Sequence, residues 1–202
     1  MMTLCSQTFR RVLIFTSFLL LVPGCSILSE LTAFSKCEFS FHSAQNPSVC
    51  GIDVNNSYSF SDFSFLDGQV ILANLLKETL PFGITANVEV KNPGVSTAAV
   101  NSIQWIAFID EVQVAEGRVT DRVEVAPAGG VSIIPIRIQT DLFNYLEGDN
   151  PKTMLNFALN LADAGNQPTR LSMKIKPTVI IGGQNVNSPG YFTITKEFSS
   201  GN

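Results

Sequence analysis

Residues 83–92, Gly-Ile-Thr-Ala-Asn-Val-Glu-Val-Lys-Asn, carry the alternation that decides the fold. Every second residue from Ile84 to Val90 is apolar, and the residues between them are polar or small. This period of two is typical of an antiparallel β-strand that buries one face and exposes the other. Asn92-Pro93-Gly94 follows directly and indicates a turn.

The remaining chain is predicted to consist mostly of further strands separated by turns. Apolar residues lie on both faces of residues 98–109, so this strand is expected to be central in its sheet or to lie under a helix. Gly117 suggests a bulge or a close approach, and Pro135 suggests an edge strand or a bulge. Short strands of this kind, separated by turns, predict a mainly β protein, an antiparallel β-sandwich. The other predicted strands are residues 37–42, 51–60, a pair within 112–125, 131–140, 171–181 and 191–198.

Two or three helices are expected beside the strands. Residues 62–79 have apolar positions at helical spacing, with Ser61 as a possible cap and Pro81 beyond the end. Residues 141–163 read as a helical insert, and residues 26–36 as a short linker or weak helix. The apolar stripe of 62–79 is interpreted as core packing, and a groove for a lipid or another small apolar molecule is the alternative.

The first 24 residues are predicted to be a targeting segment rather than part of the folded domain. Arg10-Arg11 precede an apolar run, residues 12–24, that is short for a membrane span. The run ends in Leu-Val-Pro-Gly followed by Cys25, which resembles a bacterial lipobox. We therefore expect residues 1–24 to be a lipoprotein signal peptide and Cys25 to be lipidated. An uncleaved membrane helix and a secretory signal cut elsewhere are the alternatives.

The charge of the chain argues against nucleic acid as a partner. The 202 residues hold 13 basic and 17 acidic side chains, a net charge of -4. Without Arg10 and Arg11 the count is 13 − 2 = 11 basic against 17 acidic residues, or -6. A nucleic-acid-binding protein would normally carry a basic patch. Membrane attachment is therefore expected through acyl chains on Cys25, and more than one chain is needed for stable anchoring.

Two cysteines, Cys37 and Cys50, remain in the predicted domain. In an oxidising envelope they could form a disulfide, which would stabilise the domain by roughly 3 kcal/mol through the closed loop. The alternative is two free thiols, one or both buried as small hydrophobic groups.

No arrangement of residues in the sequence points to catalysis, a metal or a cofactor. His42 is the only histidine and is expected to face solvent from a strand, so no catalytic pair with Ser or Cys can be assigned. The acidic residues between Asp110 and Glu124 are interpreted as a solvated strand face, with weak Ca²⁺ binding as the alternative. We expect no metal site and no catalytic residue.

Residues 83–140 resemble the late embryogenesis abundant (LEA) type 2 family, also called the WHy domain. The resemblance implies an immunoglobulin- or fibronectin-III-like sandwich over residues 37–202 and a non-enzymatic protein. It also implies that Asn92, Pro93 and Gly117 belong to the family motif. The chain as a whole resembles envelope lipoproteins of Gram-negative bacteria. The matching segments are residues 88–93, 103–110, 114–117, 125–127 and 133–138.

These observations predict a lipid-anchored, non-catalytic envelope protein that acts by binding or by protection under stress such as desiccation. Ser26 after the lipidated Cys25 favours the outer membrane, facing the periplasm, by the retention rule of enteric bacteria. A carrier of a lipid or other apolar ligand, and an adhesin or envelope-assembly component, are the alternatives. The partners expected are the membrane and an unidentified envelope protein, glycan or apolar ligand.

Overall fold

The structure is a computed structural model that describes residues 23–54, 64–145, 153, 156, 157, 160 and 167–199. Strands dominate it, and every strand pair is antiparallel. In chain order the elements are α1 (Pro23–Phe34), β1 (Glu38–Val49), β2 (Ile52–Asp53), α2 (Phe65–Leu75), β3 (Pro81–Asn92), β4 (Ala98–Val100), β5 (Ser102–Ile109), β6 (Val112–Val119), β7 (Val123–Val125), β8 (Gly130–Asp141), a 3₁₀ turn (Leu142–Tyr145), β9 (Thr169–Ile181), β10 (Gln184–Asn187) and β11 (Phe192–Phe198).

Two sheets form an antiparallel β-sandwich, so the predicted fold class is confirmed. Sheet I has the strand order β2-β1-β3-β8. Sheet II has the order β10-β9-β5-β6, and β11 also pairs with β9. A small sheet, β4-β7, lies at one end. One cluster of buried apolar side chains joins the inner faces, because the alternation in each strand directs its apolar residues inward.

The strand β3 behaves as its sequence predicts. Ile84, Ala86, Val88 and Val90 are each at most 4% exposed, and they point into the core between the sheets. Pro135 lies in β8, the edge strand of sheet I, where its missing N–H breaks no ladder.

The predicted strand 98–109 is wrong as a single strand, although its central position is right. β4 pairs with β7, whereas β5 lies between β9 and β6. The chain changes sheets at Asn101, whose backbone N–H donates to Thr178 and whose Oδ1 accepts from the Ile180 N–H. The hydrogen bonds of one asparagine therefore turn an apparently continuous apolar run into two elements.

The two ends of the sandwich are closed by different parts of the chain. We call the end that contains Asn92, β4 and β7 the upper end, and the end that contains Pro81 and the 3₁₀ turn the lower end. Phe34 of α1 is fully buried near the upper end and makes an edge-to-face contact with Phe39. At the lower end Phe157 is fully buried and makes edge-to-face contacts with Phe82 and Phe198.

The helical expectations are met only in part. Residues 153, 156, 157 and 160 are helical, as expected for the insert at 141–163, and the rest of that insert after Tyr145 lies outside the described residues. The helix expected at 62–79 is shorter: it begins after Ser64 and ends at Leu75. The predicted cap Ser61 and the second half of the strand predicted at 51–60 lie outside the described residues.

Candidate functional site

Helix α1 contains the predicted lipidation site and is docked on the sandwich at its far end. Cys25 lies in the first turn of α1, and Leu31 and Phe34, further along the helix, are buried in the core. Glu30 forms an ion pair with Arg122 at 2.8 Å, which attaches the helix to the loop before β7. Residues 25–36 are therefore mostly a docked helix rather than a linker, because their apolar residues recur at helical spacing and cover the upper end.

An aromatic row continues the packing of α1 into the strands. Phe34 contacts Phe39 at 5.6 Å between ring centroids, and Phe39 stacks on Phe192 at 4.7 Å. These rings connect the helix with β1 and β11. The position of Cys25 relative to the sandwich is thus set by buried side chains.

Helix α2, unlike α1, has no buried residue. The interpretation of its apolar stripe as core packing is wrong. The groove alternative is not supported either, since most of its large apolar side chains are exposed and only Ile71 among them is half-buried. The exposed ones are Phe65 (82% exposed), Leu66 (68%), Val70 (41%), Leu72 (57%) and Leu75 (37%), followed by Leu76 (78%) just after the helix.

The helix α2 is held by its own sequence at its first turn. The Ser64 Oγ accepts from the Asp67 backbone N–H at 3.2 Å, and the Asp67 carboxylate accepts from the Ser64 N–H at 2.8 Å. This reciprocal capping box satisfies two backbone donors that a helix start leaves without partners. The helix therefore has local stabilisation that does not depend on packing against the sandwich.

The motif residue Asn92 is structural in this fold. Its side chain is buried, its Nδ2 donates to the carbonyl oxygens of Ser96 and Val125, and its Oδ1 accepts from the Gly94 N–H. One amide thus ties the end of β3 to the following turn and to β7. Pro93, the residue next to it, is exposed at the start of that turn.

The motif residue Gly117 lies beneath the only tryptophan. A Cβ atom built on Gly117 would lie 2.5 Å from Cζ2 and 2.8 Å from Cε2 of Trp105. The predicted close approach is therefore confirmed, and its reason is the indole ring of the paired strand. Gly117 therefore has a packing role, whereas Asn92 has a hydrogen-bonding role.

The proposed disulfide between Cys37 and Cys50 is not formed, and both thiols are free. Cys37 precedes β1 and Cys50 follows it. Because Glu38 pairs with Lys91 and Val49 pairs with Phe82, the strand separates the two cysteines by roughly 30 Å, at about 3.3 Å for each residue of β3 between those pairs. A disulfide needs Cα atoms within roughly 7 Å of each other. The thirteen-residue spacing was compatible with a loop, but the intervening residues are extended.

Both thiols are held in their protonated form. Burial raises the pKa of the Cys37 thiol to about 11, and its Sγ donates to the Ala33 carbonyl at 3.6 Å. Burial, and then the charge of Asp141, raise the pKa of Cys50. Because the thiolate is the nucleophile, these environments suppress thiol chemistry.

The remaining titratable candidates are dispersed. His42 is exposed on β1, and its Nδ1 lies 3.3 Å from Glu89 on the neighbouring strand. Asp110 lies in the turn between β5 and β6 and accepts from the Arg170 N–H, whereas Asp121 and Glu124 lie near the upper end. The acidic residues therefore do not converge, and no group able to hold a metal ion occurs among the described residues.

No helix within the described part of the chain is long and apolar enough to cross a membrane. This finding does not extend to residues 1–22, which include most of the apolar run before Cys25.

Comparisons with known proteins assign no family to the chain. No family model matches the chain, and no curated protein matches it. Solved structures that match include a protein from Archaeoglobus fulgidus, with 22% identity, 59% of this chain and 85% of that chain covered, and a TM-score of 0.35.

Two further solved structures match, and the name of the first is relevant to the sequence resemblance. A proposed LEA protein matches with 13% identity, 95% of this chain and 87% of that chain covered, and a TM-score of 0.37. A protein of Arabidopsis thaliana matches with 13% identity, 60% and 70% covered, and a TM-score of 0.36. Identities and scores this low assign no family, so the LEA type 2 resemblance of residues 83–140 stays a prediction.

Proposed function

We propose that this protein is a lipid-anchored component of a bacterial cell envelope that acts without catalysis, by binding or by protection under stress. The observation that carries the proposal is the position of Cys25 in α1: cleavage after Gly24 makes Cys25 the first residue of this helix, whose far end is buried in the sandwich. An apolar run and a lipobox-like sequence precede this cysteine. Acyl chains on Cys25 would hold the domain directly at a membrane surface.

The use of buried polar groups supports a non-catalytic role. Asn92 binds backbone groups, and Asn160 donates to the Gln167 carbonyl and to the Thr169 hydroxyl. Thr178 donates to Asn187 across the hairpin of β9 and β10. Active sites more often hold perturbed groups in a cleft, whereas these groups connect strands and turns.

The anchor is tested by metabolic labelling with a palmitate analogue in a bacterial host that processes lipoproteins. The wild-type chain is expected to take up label and to fractionate with membranes, and Cys25→Ala is expected to lose the label. Cys37→Ala is the matched control, because it also removes one thiol and is expected to label normally. Undiminished labelling of Cys25→Ala would refute the anchor.

The non-catalytic role is tested separately on protein with an intact fold. If the protein acts by binding or protection, variants that preserve folding but alter α2 are expected to change its association with membranes or partners. Turnover of a substrate by the purified wild-type chain, abolished by changing a polar residue that is not structural, would contradict this role.

A further inference from the structure

In helix α2 the most exposed side is apolar, which is the reverse of the arrangement usual for a surface helix. Phe65, Leu72 and Leu76 recur at i, i+7 and i+11 and form one stripe, which is the most exposed side of the segment. Asp67, Ile71 and Asn74 lie on the other side, and all three are only partly exposed. A surface helix normally buries its apolar stripe and exposes its polar side, so this helix presents a surface suited to an apolar partner.

Local hydrogen bonds hold helix α2 at both of its ends. The capping box at Ser64 and Asp67 stabilises the first turn, and at the other end the Thr79 N–H donates to the Asn74 carbonyl. The Asn74 Nδ2 also donates to the Val70 carbonyl at 2.9 Å. Local hydrogen bonds therefore hold the helix at both ends, while Phe65, Leu72 and Leu76 are exposed.

We infer that the apolar stripe of α2, formed by Phe65, Leu72 and Leu76, inserts into the surface of the bilayer to which Cys25 anchors the chain. This inference rests on the proposed anchor, which supplies the bilayer. A helix of 11 residues is about 16 Å long, too short to span but sufficient to lie in the interface. Its exposed stripe carries no charge, so insertion requires no desolvation of an ion.

Tethering explains why a bilayer is favoured over a second copy or another protein. Chains attached at Cys25 would keep the lipid surface permanently within reach, so even weak partitioning of α2 becomes an intramolecular event. A second anchored copy or a separate partner must instead be met by diffusion, whereas the bilayer adjoins every anchored chain. The same stripe therefore meets lipid first.

The two contacts determine how the domain lies on the membrane. The helix α1 packs on β4 at the upper end, whereas α2 precedes β3 in the chain, and β3 begins at the lower end. β3 has 12 residues and separates the ends by roughly 40 Å. For both helices to reach one bilayer, the strands must run along the membrane surface rather than away from it.

Brominated phospholipids, which quench tryptophan within the acyl region, test the insertion. The full chain is reconstituted into nanodiscs with and without brominated lipid, as Leu72→Trp and, in case that variant folds poorly, as Leu76→Trp. Gln139→Trp is the matched control, because it is exposed at the same lower end but lies on sheet I. The parent chain, whose Trp105 is buried, sets the background.

We expect the emission of the introduced tryptophan in α2 to fall by roughly twofold or more, and that of Gln139→Trp to change little. Absence of quenching at both helix positions overturns the inference, whether α2 is bare, covered by a second copy or covered by another protein. Equal quenching at Gln139→Trp also overturns it, since the lower end would then contact lipid without selective insertion of α2.

The same samples separate this inference from the proposed anchor. Mass spectrometry of the N-terminal peptide reports whether Cys25 carries acyl chains. Acylated Cys25 without quenching at α2 leaves the anchor standing and removes the insertion. Quenching at α2 with unmodified Cys25 leaves the insertion standing and removes the anchor.

Discussion

Replacement of Asn92 by alanine tests whether this motif residue is structural. The substitution removes three hydrogen bonds, two donated to Ser96 and Val125 and one accepted from Gly94. Each bond contributes about 1 kcal/mol net, and the Val125 carbonyl is left without that donor in a buried place. We therefore expect Asn92→Ala to lower the free energy of unfolding by about 2 to 4 kcal/mol.

Urea unfolding followed by Trp105 fluorescence measures this change. Asn185→Ala, at an exposed position of β10, is the control and is expected to change the free energy by less than about 0.5 kcal/mol. A loss below about 1 kcal/mol for Asn92→Ala, similar to that of the control, would refute the structural role and make Asn92 a candidate for binding instead.

Asn92→Asp sharpens the same test, because it keeps the size and the acceptor for Gly94. It removes both donors and places a carboxylate oxygen against the carbonyls of Ser96 and Val125. At neutral pH we expect a larger loss than for Asn92→Ala. Burial raises the pKa of the introduced carboxyl in the folded state, so the penalty is present at high pH and falls as acid protonates the group. A loss independent of pH would contradict this reasoning.

Three further predictions concern the core, the anchor helix and a thiol. Gly117→Ala is expected to cost about 1 to 3 kcal/mol of unfolding free energy and to shift the Trp105 emission, because its Cβ would overlap the indole ring; Gly68→Ala, which meets nothing within 4 Å, is expected to be neutral or stabilising, and equal effects would contradict the overlap. Phe34→Ala is expected to cost about 3 to 5 kcal/mol in urea unfolding, because this ring is fully buried, whereas Leu28→Ala, 48% exposed, is expected to cost far less; a small effect of Phe34→Ala would mean that α1 is not docked. Burial raises the pKa of Cys37 to about 11 in the folded state, against an ordinary 9.0. The unfolded thiol therefore ionises first as the pH rises from 9 to 11, so wild type is expected to lose stability relative to Cys37→Ala across that range in thermal melts at stepped pH. Parallel curves for the two proteins would refute the buried thiol.

Local patterns were sufficient wherever a residue's environment follows from its neighbours in the chain. The alternation of residues 83–92 predicted β3 and its buried face. Gly117 signalled a close approach, although only the pairing of β6 with β5 identified Trp105 as the cause. β10 was missed because its four residues show little alternation.

Patterns that depend on distant partners were misread. The apolar spacing of residues 65–76 is the same whether the stripe faces a core or solvent, so the sequence could not tell that α2 exposes it. The spacing of Cys37 and Cys50 is likewise the same for a closed loop and for an extended strand. In each case the deciding quantity is a distance in space, which no local preference encodes.

The sequence by itself determined the strand-rich fold class, the turn at Asn92-Pro93 and the identity of Cys25 as the candidate anchor. These follow from alternation, backbone preference and a short motif, all of which act between near neighbours. Only the tertiary structure decided that α1 is docked, that the chain changes sheets at Asn101 and that the apolar side of α2 faces outward. The physical reason is that burial depends on which elements meet, and elements meet through contacts between residues far apart in the chain.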